Sequence, residues 1–435
     1  MLKGGAREIQ PRGRRRTDYR QTTSGVMMAG KRWGNALAPI LSVASQGIGV
    51  GQLILLLARV GANDATDVYL YLFNMGMLPT QIVTVGVVFP MLLNRERITA
   101  RLARLIRRWI PFVGSGFVLL AAFWMALNGR LEELLLPIVA ASVVNAFLQA
   151  RVWIRAIGAE AAGDPNWISG IAIPANVLAV GALLLPLPTP ELLIFAMVSA
   201  LAVANLGLLV FMTVRKVGDK SFSELPVSRL QGSRAETWFL TKAGVSYGGL
   251  AVIQSMAVLL PPAVLTILSV AAKIVASLVA TFVNAVMPRV IHRESSSLRP
   301  SMRFLSFLYI GAAVVGAGIV GFAAVFGGEL LLPAVCVALW VVGAVANSVA
   351  QRTAYRFLPP NASRITISIV PIVAVLTVAS TLSPNFQLAT LLCAYAAVDA
   401  STGALLLAAL KEKLNAVVAG MAVIAISCLW VLSLL

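Results

Sequence analysis

The chain has 435 residues, of which 59% are hydrophobic and only 12% are charged, and its mean hydropathy is +0.88. A soluble protein of this length needs far more polar surface, so the composition excludes a soluble globular protein and indicates a membrane protein. The net charge of +18 could suggest a nucleic-acid-binding protein. Aromatic residues do not alternate with the basic ones, however, so we expect no nucleic-acid partner.

Apolar runs of about 20 residues without charge predict transmembrane helices. Thirteen such runs occur, at 36–57, 68–93, 109–127, 134–154, 167–185, 191–214, 243–261, 263–287, 304–326, 330–350, 365–381, 388–410 and 414–435. The first twelve form two groups of six. The predicted fold is therefore an all-α polytopic membrane protein with two parallel six-helix lobes and one additional C-terminal transmembrane helix.

The predicted organisation has five parts. A basic cytoplasmic tail at 1–33 precedes an N-terminal lobe at 34–214, and a polar cytoplasmic linker at 215–239 leads to a C-terminal lobe at 240–410. The additional helix occupies 411–435. Outer connections are too short for an extramembrane domain, so we expect the protein to function within the membrane.

The distribution of positive charge predicts the orientation. Of the 35 Lys and Arg residues, Arg59 and Arg130 fall in predicted outer loops and Lys273 falls deep within a span. The other 32, which include Arg151 at the inner end of the fourth span, lie on the predicted cytoplasmic side. This bias predicts a multi-pass protein with a cytoplasmic N-terminus and an outer C-terminus. The basic tail and the basic segment at 95–108 are expected to contact anionic lipids.

Two motifs occur twice, which indicates an internal duplication. Glu-Leu-Leu-Leu-Pro at 133–137 recurs at 329–333, an offset of 196. Val-x-Pro-x-x-x-x-Arg-Glu at 88–96 recurs at 286–294, an offset of 198. Duplicated halves that move about a shared central site are typical of transporters. The repeated prolines are interpreted either as first-turn residues or as hinges.

Residues for catalysis are scarce. His292 is the one histidine, and no Gly-x-x-x-x-Gly-Lys phosphate-binding sequence occurs. We therefore expect neither an enzyme nor a bound cofactor. The alternative is a membrane glycosyltransferase that holds a metal ion with Asp64 and Asp67 in the first outer loop.

Two ionisable residues are predicted at bilayer depth, where charge is costly unless it faces water or the protein interior. Lys273 lies in the eighth span and Asp399 in the twelfth. They are interpreted as lining a substrate or ion path, or as a structural ion pair. Asn205 corresponds to Asp399 in the other lobe, and Gln46 and Gln52 add polar groups to the first span.

Three segments resemble the MurJ family of lipid II flippases and, more broadly, the multidrug/oligosaccharidyl-lipid/polysaccharide exporter superfamily. They are Ser-Gln-Gly-Ile-Gly at 45–49, Ala-Arg-Val-Gly-Ala-Asn-Asp-Ala-Thr-Asp at 58–67, and Ser-Val-Ala-Ala-Lys-Ile at 269–274. By this resemblance Lys273 takes the place of a family arginine that lines the central cavity, and Arg59 and Asp67 match the family's outer loop. Gln46, Gln52 and the Pro-Thr pair at 79–80 stand where the family carries arginines, and the family typically has fourteen spans.

The resemblance implies a monomeric flippase of the bacterial cell membrane that moves a polyprenyl-phosphate-linked saccharide to the outer leaflet by alternating access, for cell-envelope glycan synthesis. The reduced number of cavity cations suits a substrate less anionic than lipid II. Lys273, Arg59, Gln46 and Gln52 are expected to bind substrate, and Asp67, Asp399 and Asn205 to serve gating or coupling to a proton gradient, a sodium gradient or the membrane potential. Envelope-synthesis enzymes are possible partners. The alternatives are an ion-coupled small-molecule or drug antiporter of the same superfamily and a non-transporting membrane scaffold.

Overall fold

The computed structural model describes residues 27–88, 100–161, 164, 166–218, 232–279, 298–358 and 364–435. The chain divides into two units, residues 1–37 and residues 38–435. Of the first unit, residues 27–37 are described and are helical. Everything that follows concerns the second unit.

Every regular element of the described residues is helical. In chain order the helices are α1 (Met27–Val60), α2 (Asp64–Val83), α3 (Ala100–Leu127), α4 (Leu136–Ala161), α5 (Asn166–Gly170), α6 (Ala172–Leu183), α7 (Pro190–Val214), α8 (Gly232–Met256), α9 (Val264–Val279), α10 (Arg299–Phe326), α11 (Leu331–Phe357), α12 (Arg364–Ile367), α13 (Ile369–Ser380), α14 (Leu388–Ala409) and α15 (Lys413–Leu432). A π-turn at Thr84–Val88 extends α2, and single 3₁₀ turns precede α4 and α11 and follow α8.

All thirteen predicted spans overlap these helices. Ten helical segments of the described residues are long and apolar enough to cross a membrane. Val264–Val279 and Arg364–Ser380 are apolar but shorter, and α8 is not among the ten. The chain is thus a multi-pass membrane protein, and the total of thirteen spans stays a prediction.

Helix ends follow local sequence signals. The Asn63 side chain caps α2 by accepting a hydrogen bond of 3.0 Å from the Thr66 backbone nitrogen. The Thr189 hydroxyl caps α7 in the same way, and Pro190 occupies the first helical position. Both patterns satisfy backbone donors that would otherwise lack partners at the start of a helix.

The repeated Glu-Leu-Leu-Leu-Pro motif adopts the same local structure twice. In each copy a 3₁₀ turn, Glu133–Leu135 or Gly328–Leu330, leads directly into α4 or α11. Pro137 and Pro333 fall in the first turns of these helices, where a missing N–H costs nothing, which supports the interpretation of these two prolines as first-turn residues. In the other motif Val88 is described, and the rest of both copies lies outside the described residues, as does His292.

Helices α2 to α7 pack chiefly on one another, as do helices α8 to α15. Close packing depends on small residues. A Cβ at Gly76 of α2 would lie 2.9 Å from side-chain atoms of both Ala146 in α4 and Val118 in α3. Helix α2 also packs on α8 and α9, so it joins the two halves of the chain. The two parallel six-helix lobes with the boundaries above remain a prediction.

Candidate functional site

A continuous polar stripe on α9 faces the first half of the chain. Thr266, Ser269, Lys273 and Ser277 are three or four residues apart, so they lie on one face of the helix. Each of them approaches α1 or α2. We call this line of contacts the polar seam.

Three hydrogen-bonded contacts define the seam from its outer to its inner end, outer being the side predicted to lie outside the cell. The Thr266 backbone nitrogen donates to Asp67 of α2 at 2.7 Å. Deeper, the Asn74 amide donates to the Ser269 hydroxyl at 3.4 Å. At the inner end the Ser277 hydroxyl donates to the Gln46 side chain of α1 at 3.2 Å.

Lys273 occupies the middle of the seam. Its side chain is exposed, yet it lies beside the first half of the chain. A Cβ at Gly49 of α1 would lie 3.5 Å from the lysine Nζ and 3.2 Å from the Asn176 amide nitrogen of α6. The absent side chain of Gly49 thus leaves room for both polar groups, and Lys273 is the charged centre of the seam.

Asp67 closes the outer end of the seam. Its side chain is fully buried. It accepts hydrogen bonds from the Ala263 backbone nitrogen at 3.1 Å and from both the backbone nitrogen and the hydroxyl of Thr266. A carboxylate at the start of a helix satisfies free backbone donors and interacts favourably with the helix dipole. Asp67 of α2 therefore caps α9, a helix 199 residues later in the chain.

Arg130 completes this closure. Its guanidinium lies 2.8 Å from an Asp64 carboxylate oxygen and 2.9 Å from one of Asp67. It also donates to the Leu260 carbonyl in the loop before α9. We call Asp64, Asp67 and Arg130, with their partners in the loop before α9 and its first turn, the outer clamp. Because the clamp joins the two halves, they cannot separate at this end without breaking it.

The sequence did not predict Arg130. The signal that could have identified it is the scarcity of cations in the predicted outer loops, where Arg130 and Arg59 are the only two. Arg59, predicted to bind substrate, donates to the Leu185 carbonyl at 3.0 Å and lies outside the outer clamp. The alternative of a metal ion held by Asp64 and Asp67 meets a physical objection, since the Arg130 guanidinium already lies between the two carboxylates.

Asp399 lies elsewhere, between α14 and α11. Its carboxylate accepts hydrogen bonds from the Trp340 indole at 2.7 Å and from the Asn347 amide at 2.6 Å. The two ion pairs that join one described residue to another both involve Arg130, and neither includes Lys273 or Asp399. The predicted alternative of a Lys273–Asp399 ion pair is therefore not what these residues form.

Asn205 repeats the Asp399 arrangement in the first half. Its amide donates to Asn145 at 3.0 Å, so a buried polar contact joins α7 to α4 much as Asp399 joins α14 to α11. Gln52 also lies within the first half, where it is buried and donates to the Met197 sulfur at 3.5 Å. Of the predicted site residues, the structure thus brings Gln46, Lys273 and Asp67 together along the seam and holds Asn205, Gln52 and Asp399 inside the two halves.

Two solved structures align with most of this chain. A structure titled lipid II flippase MurJ in an inward closed conformation aligns with a TM-score of 0.60 and 13% identity, covering 90% of this chain and 92% of that chain. An outward-facing MATE family multidrug resistance transporter of the MOP superfamily aligns with a TM-score of 0.45 and 12% identity, covering 91% and 96%. No protein-family model and no curated protein sequence matches. The resemblance read from the sequence is thereby confirmed for the fold, and the chain is an all-α, multi-pass membrane protein with the fold of the lipid II flippase MurJ.

Proposed function

We propose that this protein is a flippase that moves a polyprenyl-phosphate-linked saccharide from the inner to the outer leaflet by alternating access, for cell-envelope glycan synthesis. The observation that carries the proposal is the position of Lys273 on the polar seam between the two halves. The fold shared with a lipid II flippase supports the same class of substrate.

The charge of Lys273 suits a lipid phosphate. A phosphate that leaves water for the protein interior needs charged donors in place of its hydration shell. An ammonium group supplies a compact positive charge with three donors. Gln46, Ser277 and Asn176 lie near Lys273 and provide neutral polar groups that suit sugar hydroxyls.

The outer clamp suits the gate of such a cycle. While Asp67 and Arg130 hold the start of α9, the seam is closed at the outer end, and substrate would enter from the inner side. Release to the outer leaflet then requires the clamp to open. The donors that it frees would be hydrated in the open state, so the energetic cost is moderate.

The driving force is proposed to be an ion gradient or the membrane potential. One charge that crosses the field gains about 2.3 kcal/mol per 100 mV, which is enough to bias a two-state cycle. Asp399 is the proposed coupling residue because its carboxylate contacts neutral donors, Trp340 and Asn347, which leaves its charge available to a proton or sodium ion.

The Asp399 carboxylate and its neutral partners also support a second candidate function, an ion-coupled antiporter of small molecules. In that function Asp399 would exchange an ion for a cationic or neutral substrate, and Lys273 would be dispensable. A scaffold would need neither residue. The two residues therefore separate the three functions.

The test is flipping of a fluorescent polyprenyl-phosphate-linked saccharide by the purified full-length protein in proteoliposomes. Lys273→Ala should abolish flipping, and Lys273→Arg should retain part of it, because arginine keeps the charge. The matched control is Lys413→Ala, an exposed lysine at the start of α15. Flipping by Lys273→Ala at the wild-type rate would rule out phosphate binding by this lysine, and drug export by the same variant would favour the antiporter.

We further propose that the protein functions as a monomer in the bacterial cell membrane with its N-terminus in the cytoplasm. The strong bias of basic residues toward one side supports this orientation. Reporter fusions at both termini test it, with activity outside expected for the C-terminal fusion only.

A further inference from the structure

A cavity of about 320 Å³ lies between the beginnings of α10 and α15, away from the polar seam. It is lined by Arg299, Met302, Arg303, Ser306, Glu412 and Asn415. The four residues from α10 are spaced three, one and three apart, so they form one face of that helix. The cavity thus has a built polar wall with two arginines.

The cavity lies at the membrane surface. The candidate spans Arg299–Val325 and Lys413–Leu432 both begin beside it, so two helices enter the membrane at its level. This is the side on which the basic residues accumulate and which is predicted to be cytoplasmic. Lipid headgroups occupy the same depth, and anionic lipids attract basic residues there by about 1 kcal/mol each.

The interior of the cavity offers further donors. Asn415 is buried, and its amide nitrogen contacts only a weak acceptor in the Met302 sulfur, at 3.6 Å. The Ser306 hydroxyl lies one turn below Arg303 and donates to the Met302 carbonyl at 3.1 Å, so its oxygen faces the cavity as a polar group rather than as a donor. One turn deeper still, the Tyr309 hydroxyl donates to the Asn415 carbonyl and joins α10 to α15. Guanidinium and amide donors that converge on one space suit the oxygens of a phosphate.

The surface below the cavity suits acyl chains. Ile310 and Val314 are exposed and lie seven and eleven residues after Arg303, on the same side of α10. A molecule with a phosphate in the cavity would therefore continue along an apolar surface. This continuity distinguishes a membrane lipid from a free phosphate ion.

From these observations we propose that the α10–α15 cavity binds the phosphodiester headgroup of an anionic phospholipid, with Arg299 and Arg303 as the charged ligands. The bound lipid would join the additional C-terminal helix to the second half of the chain. Glu412 opposes this binding, because its carboxylate is the one acidic group among the described residues of the cavity wall. The proposal does not depend on the substrate of the polar seam.

The test is native mass spectrometry of the detergent-purified full-length protein with phosphatidylglycerol, and with phosphatidylcholine for comparison. Loss of two basic contacts in Arg299→Gln/Arg303→Gln should raise the dissociation constant for phosphatidylglycerol about 10- to 30-fold. The matched control is Arg215→Gln/Lys216→Gln, which removes the same charge from two exposed residues directly after α7, outside the cavity wall. The control should change the constant less than about threefold.

Glu412→Gln should increase phosphatidylglycerol binding, a result that misfolding of the variant would not produce. It should tighten phosphatidylglycerol binding about threefold or more, because a repelling carboxylate is removed. Equal binding by the wild type, the double arginine variant and Glu412→Gln would overturn the proposal. Displacement of phosphatidylglycerol by inorganic phosphate at similar concentration would overturn the lipid assignment in favour of a free anion.

Discussion

Replacement of Asp67 should open the outer side of the protein. In the closed state the buried carboxylate accepts three hydrogen bonds from the first turn of α9 and its preceding loop, and it pairs with Arg130 at 2.9 Å. In an open state water would replace these partners. The clamp therefore stabilises the closed state specifically, and its loss should shift the equilibrium between the two.

The free energy by which Asp67→Ala destabilises the closed state is the sum of two contributions. Loss of a helix cap costs about 0.5–2 kcal/mol. Loss of a charged hydrogen bond to the largely buried Arg130 costs about 1.5–3 kcal/mol, less whatever Asp64 still provides. A combined cost of about 2–4 kcal/mol would raise the ratio of open to closed protein about 30- to 1000-fold.

Asp67→Asn and Asp64→Asn separate the contribution of the helix cap from the contribution of the charge. Asparagine remains a good helix cap but removes the charge, so Asp67→Asn should shift the equilibrium less than Asp67→Ala. The Asp64 side chain is 49% exposed, and an exposed ion pair contributes at most about 1 kcal/mol, or about fivefold. Asp64→Asn is therefore the matched control.

The assay is labelling of a cysteine at position 269 by a membrane-impermeant maleimide from the outer side. Ser269 is buried on the seam one turn below Thr266, so it reacts only when the clamp opens. The exposed native Cys428 is first replaced by serine. Labelling in Asp67→Ala that is no faster than in Asp64→Asn would refute the reasoning, because the buried carboxylate would then contribute no more than the exposed one.

Two further predictions use the glycines of the helix contacts, with matched glycines that have open space as controls. Gly49→Leu should fill the space beside the Lys273 ammonium and abolish flipping in proteoliposomes with normal expression, whereas Gly47→Leu should not, because nothing lies within 4 Å of a Cβ there. Equal activity of the two variants would contradict this role of the seam. Gly76→Val should lower the free energy of unfolding by about 1–3 kcal/mol through overpacking, measured as a lower melting temperature in detergent. Gly116→Val should change the melting temperature little, because nothing lies within 4 Å of a Cβ at that position. Equal melting temperatures of the two variants would show that α2 can move aside.

Hydropathy and short local signals predicted the helices. Each predicted span overlaps a helix because every backbone group in a bilayer needs an internal partner, so a long apolar run has few other structures available. The duplicated Glu-Leu-Leu-Leu-Pro motif likewise adopts one local structure twice. Lys273 and Asp399 could be singled out because a charge in an apolar segment is costly wherever its helix lies. Asp67 was singled out by its match to the outer loop of the MurJ family.

The partners of these charges were decided by the tertiary structure. Asp67 pairs with Arg130, 63 residues later, and caps α9, whereas Lys273 and Asp399, which the sequence could equally have paired, face different helices. Gln46 and Gln52 are both polar residues of α1, yet one lies on the seam and the other inside the first half. Hydropathy specifies how deep a residue lies along the membrane normal. It leaves open the rotation of each helix and the identity of its neighbours, which are set by close packing at small residues such as Gly76 and by hydrogen bonds between segments far apart in the chain.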